Sequence, residues 1–398
     1  MVALTGRRLL DGRYVPVFDD NVAVDRFERP PGKDGALDSL HAIARERSYM
    51  CLMETQSVLF IVSHGTLIRP ALDSLRMSGG TTVPEDRALS PDDWPHPAER
   101  RYADAQARLA DHYDLAVESR VTETDAAGRV HYLTGGNPDG DPVLLLHGVG
   151  TPAATWLPLF PALTDEYRVY APDRPGLGLS AAPSYRDRDL RSFLVTYLLE
   201  LLDDLGIDRP HMVGNSHGGL QSFLLAIDHD RVDRLQLVGA PGGVSRDLPL
   251  LFRLLTVRGL NRVLLWLLNR GDPVENARQS MQRVNVVDGS AIPEALYELL
   301  AAGQALPGRP ESQRSLATAQ GSYGRAHPLF DIRNEIVRID RPTQFVWGTE
   351  DAFYPPAVGR PVTEKMSHAE FHELPGYGHT PWLEPNDDAV TLVREFLA

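Results

Sequence analysis

The feature that most constrains this chain is six residues, Gly214-Asn215-Ser216-His217-Gly218-Gly219, set between short apolar runs at His211–Val213 and Leu220–Ile227. The first run has the length of a strand and the second that of a helix. A chain that passes from strand to helix in so few residues must turn sharply, and the G-x-S-x-G pattern supplies the means. Glycines on either side remove side chains that would collide. The serine between them is driven into a strained backbone conformation that exposes its hydroxyl. The helix starting behind it offers free N–H groups and the positive end of its dipole, which favour a developing oxyanion. A Gly-rich helix entry around a buried serine fits the same six residues without any chemistry, so the rest of the chain must decide.

From about Leu115 onward short apolar runs alternate with amphipathic stretches, as in an α/β sheet. Val117–Thr124 and Arg129–Thr134 read as a hairpin closed by Asp125-Ala126-Ala127-Gly128. Val143–Leu146, Tyr167–Ala171, His211–Val213 and Arg234–Val238 read as buried parallel strands, and Gln344–Trp347 and Glu370–Leu374 resume the pattern, followed by a final helix from about Asp387. Leu190, Phe193, Leu194, Tyr197, Leu198, Leu201, Leu202 and Leu205 form a helical stripe stopped by Gly206 and Pro210. The interruption after Gly239-Ala240-Pro241-Gly242-Gly243 is expected to hold an inserted helical unit, a cap carrying Leu250, Leu254, Val263 and Trp266. The expected organisation is an N-terminal extension of unknown role with a Pro- and Asp-rich linker (1–97, the linker running from Thr81 to Pro97), a first core segment (98–240), the cap (241–328) and a second core segment (329–398).

The composition is that of an ordinary globular protein, with 42% hydrophobic and 24% charged residues over 398 positions. The longest apolar run, Val263–Leu268, is far short of the roughly 20 residues that span a bilayer. A net charge of −14 argues against nucleic acid as a partner. The N-terminus lacks the layout of a secretory signal and Cys51 is the only cysteine, so a cytoplasmic location is expected.

A serine hydroxyl is a weak nucleophile at neutral pH and needs a base, and an acid to orient that base. Downstream, Phe345-Val346-Trp347-Gly348-Thr349-Glu350-Asp351 ends one strand in a carboxylate, and Gly376-Tyr377-Gly378-His379 ends the next in a histidine. The order Ser, Asp, His is that of the α/β-hydrolases. His147-Gly148-Val149-Gly150 resembles that family's oxyanion loop, Asp173-Arg174-Pro175-Gly176-Leu177-Gly178-Leu179-Ser180 its loop after the following strand, and Gly378-His379-Thr380-Pro381-Trp382-Leu383-Glu384 its histidine loop. The resemblance covers roughly residues 115–398. It implies an α/β fold built on an α/β-hydrolase sheet, mostly parallel, with a helical cap insertion and an N-terminal extension. It further implies Ser216 as nucleophile, His379 as base and then acid, Asp351 as the group orienting His379, and the backbone N–H groups of Val149 and His217 as the oxyanion hole. Glu350 competes for the acid role, but the family pattern W-G-x-x-D selects Asp351. Asn215 and Trp382 are the candidates for touching substrate.

The favoured substrate is a small or medium hydrophobic carboxylic ester, since a cap rich in Leu with Trp266 supplies an apolar pocket. Serine at the nucleophile position disfavours the haloalkane dehalogenases and epoxide hydrolases, which resemble this architecture but use Asp there. Asn before the nucleophile also resembles the hydrolases of meta-cleavage products, which cut carbon–carbon bonds in dienoate acids and hold the acid end with a cap arginine. Arg253, Arg258, Arg262 and Arg270 are candidates for that role, although arginines at helical spacing also make a solvated face. Thr380 stands where those enzymes have Trp. A ligand-binding protein without turnover is a third reading. The His217 side chain faces either pocket or core. Histidines such as His41, His96 and His131 lack metal-ligand spacing, and Gly176 and Gly178 make no dinucleotide fingerprint, so neither metal nor cofactor is expected. Val58–Arg69 resembles the second histidine motif of histidine phosphatases, but no Arg-His-Gly precedes it, which leaves a strand and turn as the reading there.

Overall fold

The computed structural model describes residues 87–322, 325–385 and 387–398, together with the backbone of five strands before them. The chain divides into two compact units, Met1–Thr81 and Thr82–Ala398. In the first, Leu4–Arg8 pairs antiparallel with Tyr14–Phe18, and Cys51–Thr55, Val58–Ser63 and Thr66–Ile68 form an antiparallel three-stranded sheet. The stretch resembling a phosphatase motif thus falls on two paired strands; its His64, Gly65 and Arg69 lie outside the described residues.

The second unit is organised by an eight-stranded sheet: β1 (Glu118–Thr124), β2 (Gly128–Gly136), β3 (Pro142–Leu146), β4 (Arg168–Pro172), β5 (His211–Gly214), β6 (Leu235–Val238), β7 (Thr343–Gly348) and β8 (Ala369–Leu374). Their spatial order is β8-β7-β6-β5-β3-β4-β2-β1. From β4 to β8 neighbours run parallel, and β2 joins antiparallel to β4 and β1. The β1–β2 hairpin closes at Gly128, whose φ of +76° supplies the left-handed residue such a turn requires. Residues 143–146, 211–214 and 235–238 are wholly buried, as strands covered on both faces must be. The chain runs from β3 to β4 on one side and returns to β5 on the other, so the sheet has its topological switch point between β3 and β5. Loops leaving the carboxyl ends of these strands therefore diverge and leave a crevice.

Helix α1 (Pro97–His112) precedes the sheet, α2 (Leu190–Asp204) and α3 (His217–Asp228) cover it, and α9 (Asp388–Leu397) closes the chain. In α2 the predicted stripe faces inward: Asp189 caps the start by accepting the N–H of Ser192 at 2.7 Å, and Gly206, at φ +67°, ends it. The insertion between β6 and β7 carries α4 (Leu250–Leu255), α5 (Leu260–Leu268), α6 (Pro273–Val284), α7 (Glu294–Gln304) and α8 (Arg309–Ala319), with a further single turn at Arg333–Ile336 before β7.

The expected linker needs correction. Its described part, from residue 87, is seated on the sheet: the N–H of Leu89 donates to the Ser119 carbonyl at 2.7 Å, and Trp94 is fully buried, edge-on to His131 and under the Arg129 guanidinium. The Pro and Asp residues that read as linker instead build a one-turn 3-10 helix at Pro91–Asp93, with Asp93 accepting from the N–H of Ser90. A single large apolar side chain outweighs that composition. Trp94→Ala is accordingly expected to lower unfolding free energy by about 3–5 kcal/mol. Urea denaturation measures this, and a change within about 0.5 kcal/mol would restore the linker reading.

Candidate active site

Ser216 sits where β5 hands over to α3, at φ 54° and ψ −115°. Such a conformation costs of order 1–3 kcal/mol in a residue with a Cβ, and the surroundings enforce it. The N–H of Asn215 donates to the Leu146 carbonyl, that of Gly218 to Asn215, and that of Gly242 to Ser216 itself. A Cβ on Gly218 would lie 2.0 Å from the Leu146 oxygen, so only glycine lets the helix start this close to β3. The strain holds the serine at the crevice, half-exposed, between strands that are not.

His379 and Asp351 come from the loops after β8 and β7. The Nδ1–H of His379 donates to Asp351 Oδ2 at 2.7 Å. That carboxylate also accepts the N–H groups of Ala240 and Phe353 at 2.9 and 2.8 Å, which keep it from turning. With Nδ1 protonated, the lone pair falls on Nε2, which is buried and has no hydrogen-bond partner, and His379 and Ser216 line the same cavity. Phe353 packs on the imidazole at 4.1 Å between ring centres. The histidine loop is clamped by Glu384, a residue without an assigned role in the sequence reading. One of its oxygens accepts from Gly378 and the other from Val287 and Asp288.

The loop after β3 brings Gly148 and Val149 to the cavity; a Cβ on Gly148 would lie 3.2 Å from the Cβ of Ser216. His147 orients this loop. Its Nε2 accepts the N–H of Arg174, so the proton rests on Nδ1, which donates to the Gly148 carbonyl at 2.9 Å. Burial pulls the His147 pKa down to about 4 and keeps the ring neutral. Asp173 ties the same region together from below: it accepts from Ala153, Leu179 and the ring of His131 at 2.6–3.0 Å. Burial alone would raise its pKa, but the His131 hydrogen bond and these partners bring it to about 2.

The expected substrate contacts change. Trp382 is buried away from the cavity, stacked on Trp156 at 4.0 Å and donating its indole N–H to the Thr155 carbonyl, because the turn at Pro381 directs it inward. Asn215 does border the cavity, but both amide protons are engaged, by the carbonyls of Val238 and His379, so it acts as a strut between β5, β6 and the histidine loop. The His217 side chain lies in the core with Gln221 donating to its Nδ1. Its main-chain N–H, first in α3, has no acceptor within the helix.

The cavity, about 810 Å³, is walled by the helical insertion, with Leu251, Phe252 and Trp266 on its apolar side. Arg253, Arg258, Arg262 and Arg270 are exposed, the last two at its margin. Two other arginines, not singled out by sequence, lie inside. Arg174, from the loop after β4, and Arg309, first residue of α8, are only 4% and 6% exposed and both line the cavity. Arg174 Nε and Arg309 Nε and Nη1 have no hydrogen-bond partner, and among the described residues neither guanidinium is ion-paired. Burial lowers the Arg309 pKa, partly offset by Tyr102 and Asp173. Among the described residues no cluster suits a metal ion.

Residues 141–385 match the sequence pattern of the alpha/beta hydrolase fold. The chain belongs to the alpha/beta hydrolase fold family. Its relatives include the 2-hydroxy-6-oxononadienedioate/2-hydroxy-6-oxononatrienedioate hydrolase of Burkholderia vietnamiensis, 31% identical over 70% of this chain and 93% of that one. Another is the 2-hydroxy-6-oxo-2,4-heptadienoate hydrolase of Pseudomonas putida, 32% identical over 65% and 90%. Among solved structures, the meta-cleavage product hydrolase of Pseudomonas fluorescens IP01 superposes with a TM-score of 0.56 at 26% identity, covering 70% of this chain and 97% of that one. The carboxylesterase CesB of Bacillus subtilis, with a TM-score of 0.61, 19% identity and coverage of 76% and 99%, shares the fold.

Two buried neutral histidines give this α/β-hydrolase a definite acid response. Unfolded, His147 takes up a proton near 6.5, but folded only near 4, and His217 is likewise held well below its ordinary value, chiefly by burial. Below 6.5 the unfolded chain therefore binds more protons, and stability falls as pH drops, by up to about 1.4 kcal/mol per pH unit for each histidine. The deficit of His147→Gln relative to wild type should shrink between pH 7 and pH 5 in chemical denaturation. A constant gap would mean that His147 is not neutral by burial.

Proposed function

We propose that the protein is a serine hydrolase in which Ser216 attacks the carbonyl of a substrate bearing a carboxylate, with His379 and Asp351 completing the triad and the N–H groups of Val149 and His217 receiving the oxyanion. The reaction proposed first is hydrolysis of a carbon–carbon bond beside a ketone, as in the meta-cleavage relatives; ester hydrolysis, placed first by sequence, becomes the second reading. The observation that carries this order is the pair of buried guanidiniums at the cavity of Ser216, neither with a counter-ion among the described residues, although Arg174 Nη1 donates to the Tyr185 hydroxyl at 3.3 Å.

The chemistry explains why they matter. Ser216 Oγ loses its proton to His379 Nε2 as it adds to the carbonyl, giving a tetrahedral oxyanion. Collapse of that oxyanion breaks a C–O bond readily, since an alkoxide leaves and His379 protonates it. Breaking a C–C bond expels a carbanion, which is tolerable only if its electron pair spreads into an electron sink. A conjugated 2-oxo acid is such a sink. Cations at its far end bind the ground-state carboxylate and stabilise the charge that moves toward it. His379 returns the serine proton to the departing carbanion, and the neutral imidazole then activates water to release the acyl group from Ser216. Buried arginines without anions are costly in the free protein, and a bound acid satisfies them. The ester reading rests on the apolar side of the cavity, with Leu251, Phe252 and Trp266, and on Thr380 after the histidine.

The test compares 2-hydroxy-6-oxo-2,4-heptadienoate, followed by loss of its chromophore, with p-nitrophenyl acetate. Ser216→Ala should lose both activities by at least about 10³-fold. Arg309→Gln should lower kcat/KM for the acid by about a hundredfold while leaving the neutral ester within a few-fold. The same variant should have a higher Tm than wild type in the absence of ligand, because it removes a buried unpaired charge. Faster turnover of the ester than of the acid, with no effect of Arg309→Gln on either, would make the ester reading correct.

A further inference from the structure

The helical insertion contains an inversion of the usual pattern. Along α5, Leu260-Asn261-Arg262-Val263-Leu264-Leu265-Trp266-Leu267-Leu268, the one buried residue is Asn261. Several apolar ones are exposed: Val263 is 52% exposed, Trp266 58% and Leu267 49%, the last two at the cavity mouth, and on the preceding α4 Leu250 is 73%. A soluble surface scatters exposed apolar side chains singly; a contiguous group of them on two adjacent helices marks a covered face.

The charges around this face indicate what covers it. From residue 248 to 271 the chain carries Arg253, Arg258, Arg262 and Arg270 and not one Asp or Glu, in a protein whose net charge is −14. All four arginines are exposed, and Arg270 lies over the Trp266 ring at 4.3 Å. A second copy of the chain docked by this face in a two-fold dimer would set two arginine clusters against each other, so charge disfavours it. An apolar face with Trp and Leu at its centre and arginines at its border, on helices too short to cross a bilayer, suits the interface of a membrane carrying anionic lipid. No helix among the described residues is long and apolar enough to span one.

We propose that α4 and α5 form a reversible docking surface for anionic lipid membranes, with the apolar side chains entering the headgroup boundary and Arg258, Arg262 and Arg270 pairing with lipid phosphates, while Arg253 already faces Asp247 at 3.7 Å. The same two helices wall the cavity: Leu251, Phe252, Leu265 and Trp266 belong to its lining. Docking therefore sets the cavity's helical wall against the bilayer surface. The remaining surface, which carries the excess acid, is repelled by the lipid and limits binding to this orientation.

The test uses the full chain and sedimentation with vesicles of phosphatidylglycerol and phosphatidylcholine, against vesicles of phosphatidylcholine alone. Binding is expected to the anionic vesicles, weaker to the neutral ones, and to decline with salt. Two variants outside the cavity lining separate surface from fold. Leu250→Ser combined with Val263→Ser, and Arg258→Glu, should each weaken binding by about tenfold or more, while hydrolysis of p-nitrophenyl acetate in solution stays unchanged. Failure of wild type to bind anionic vesicles overturns the proposal. So does a wild-type dimer in light scattering that the Leu250→Ser/Val263→Ser variant dissociates, since the face would then belong to a second copy. Equal binding by wild type and both variants would place lipid contact elsewhere on the chain.

Discussion

The backbone knot at Ser216 is the constraint on which the site depends. A residue with a Cβ is held at positive φ because the carbonyl of Leu146, the carbonyl of Asn215 and the N–H of Gly242 leave it no other course. Each of those groups belongs to a different segment: the end of β3, the turn itself, and the loop after β6. The turn can form only once β3, β5 and β6 lie side by side in the sheet. The same pairing brings the loop of Gly148 and Val149 alongside the serine. Asn215 extends the knot to the fourth loop by donating to the His379 carbonyl. Its amide thus couples the turn of Ser216 to the position of His379, and its place before the serine is explained by structure.

A second set of buried polar groups surrounds the first. Asp173, His131 and His147 have side chains inside the protein, yet their hydrogen bonds are largely satisfied by backbone N–H groups and by one another. Buried polar groups of this kind specify a unique arrangement, since any displaced loop would leave an unmet donor or acceptor. Their targets are the loops after β3 and β4, which have no regular structure to hold them. Where the fold cannot use strand pairing to fix a loop, it uses a buried carboxylate and two imidazoles.

Charge in this protein is segregated. The surface as a whole is acidic, but the cavity contains two guanidiniums without counter-ions and the outer face of the insertion contains four more arginines. The buried pair is a local departure from what stability favours. Such departures concentrate at places that bind something. One of these cations, Arg174, comes from the core loop after β4 and the other, Arg309, from the insertion.

The strand-to-helix turn, the hairpin at Gly128, the α2 stripe and the order Ser216, Asp351, His379 were all legible in the sequence. They rest on local rules: glycine where backbone approaches backbone, period-3.6 apolar spacing, and short polar breaks between buried strands. Three things were not legible. Trp94 lies in a stretch whose Pro and Asp content reads as linker, because the pocket that receives it is built by β1, β2 and α1. Trp382 and Asn215 read as substrate contacts by position in their motifs, but only packing against Trp156 and the reach to the Val238 carbonyl decided where their polar atoms went. Arg174 and Arg309 look like any of the chain's many arginines, since what distinguishes them is burial without a counter-ion. Sequence determined which residues have the chemistry and in what order they arrive. Tertiary structure alone decided which charges are desolvated and which apolar faces are left outside, because both are properties of neighbours far apart in the chain.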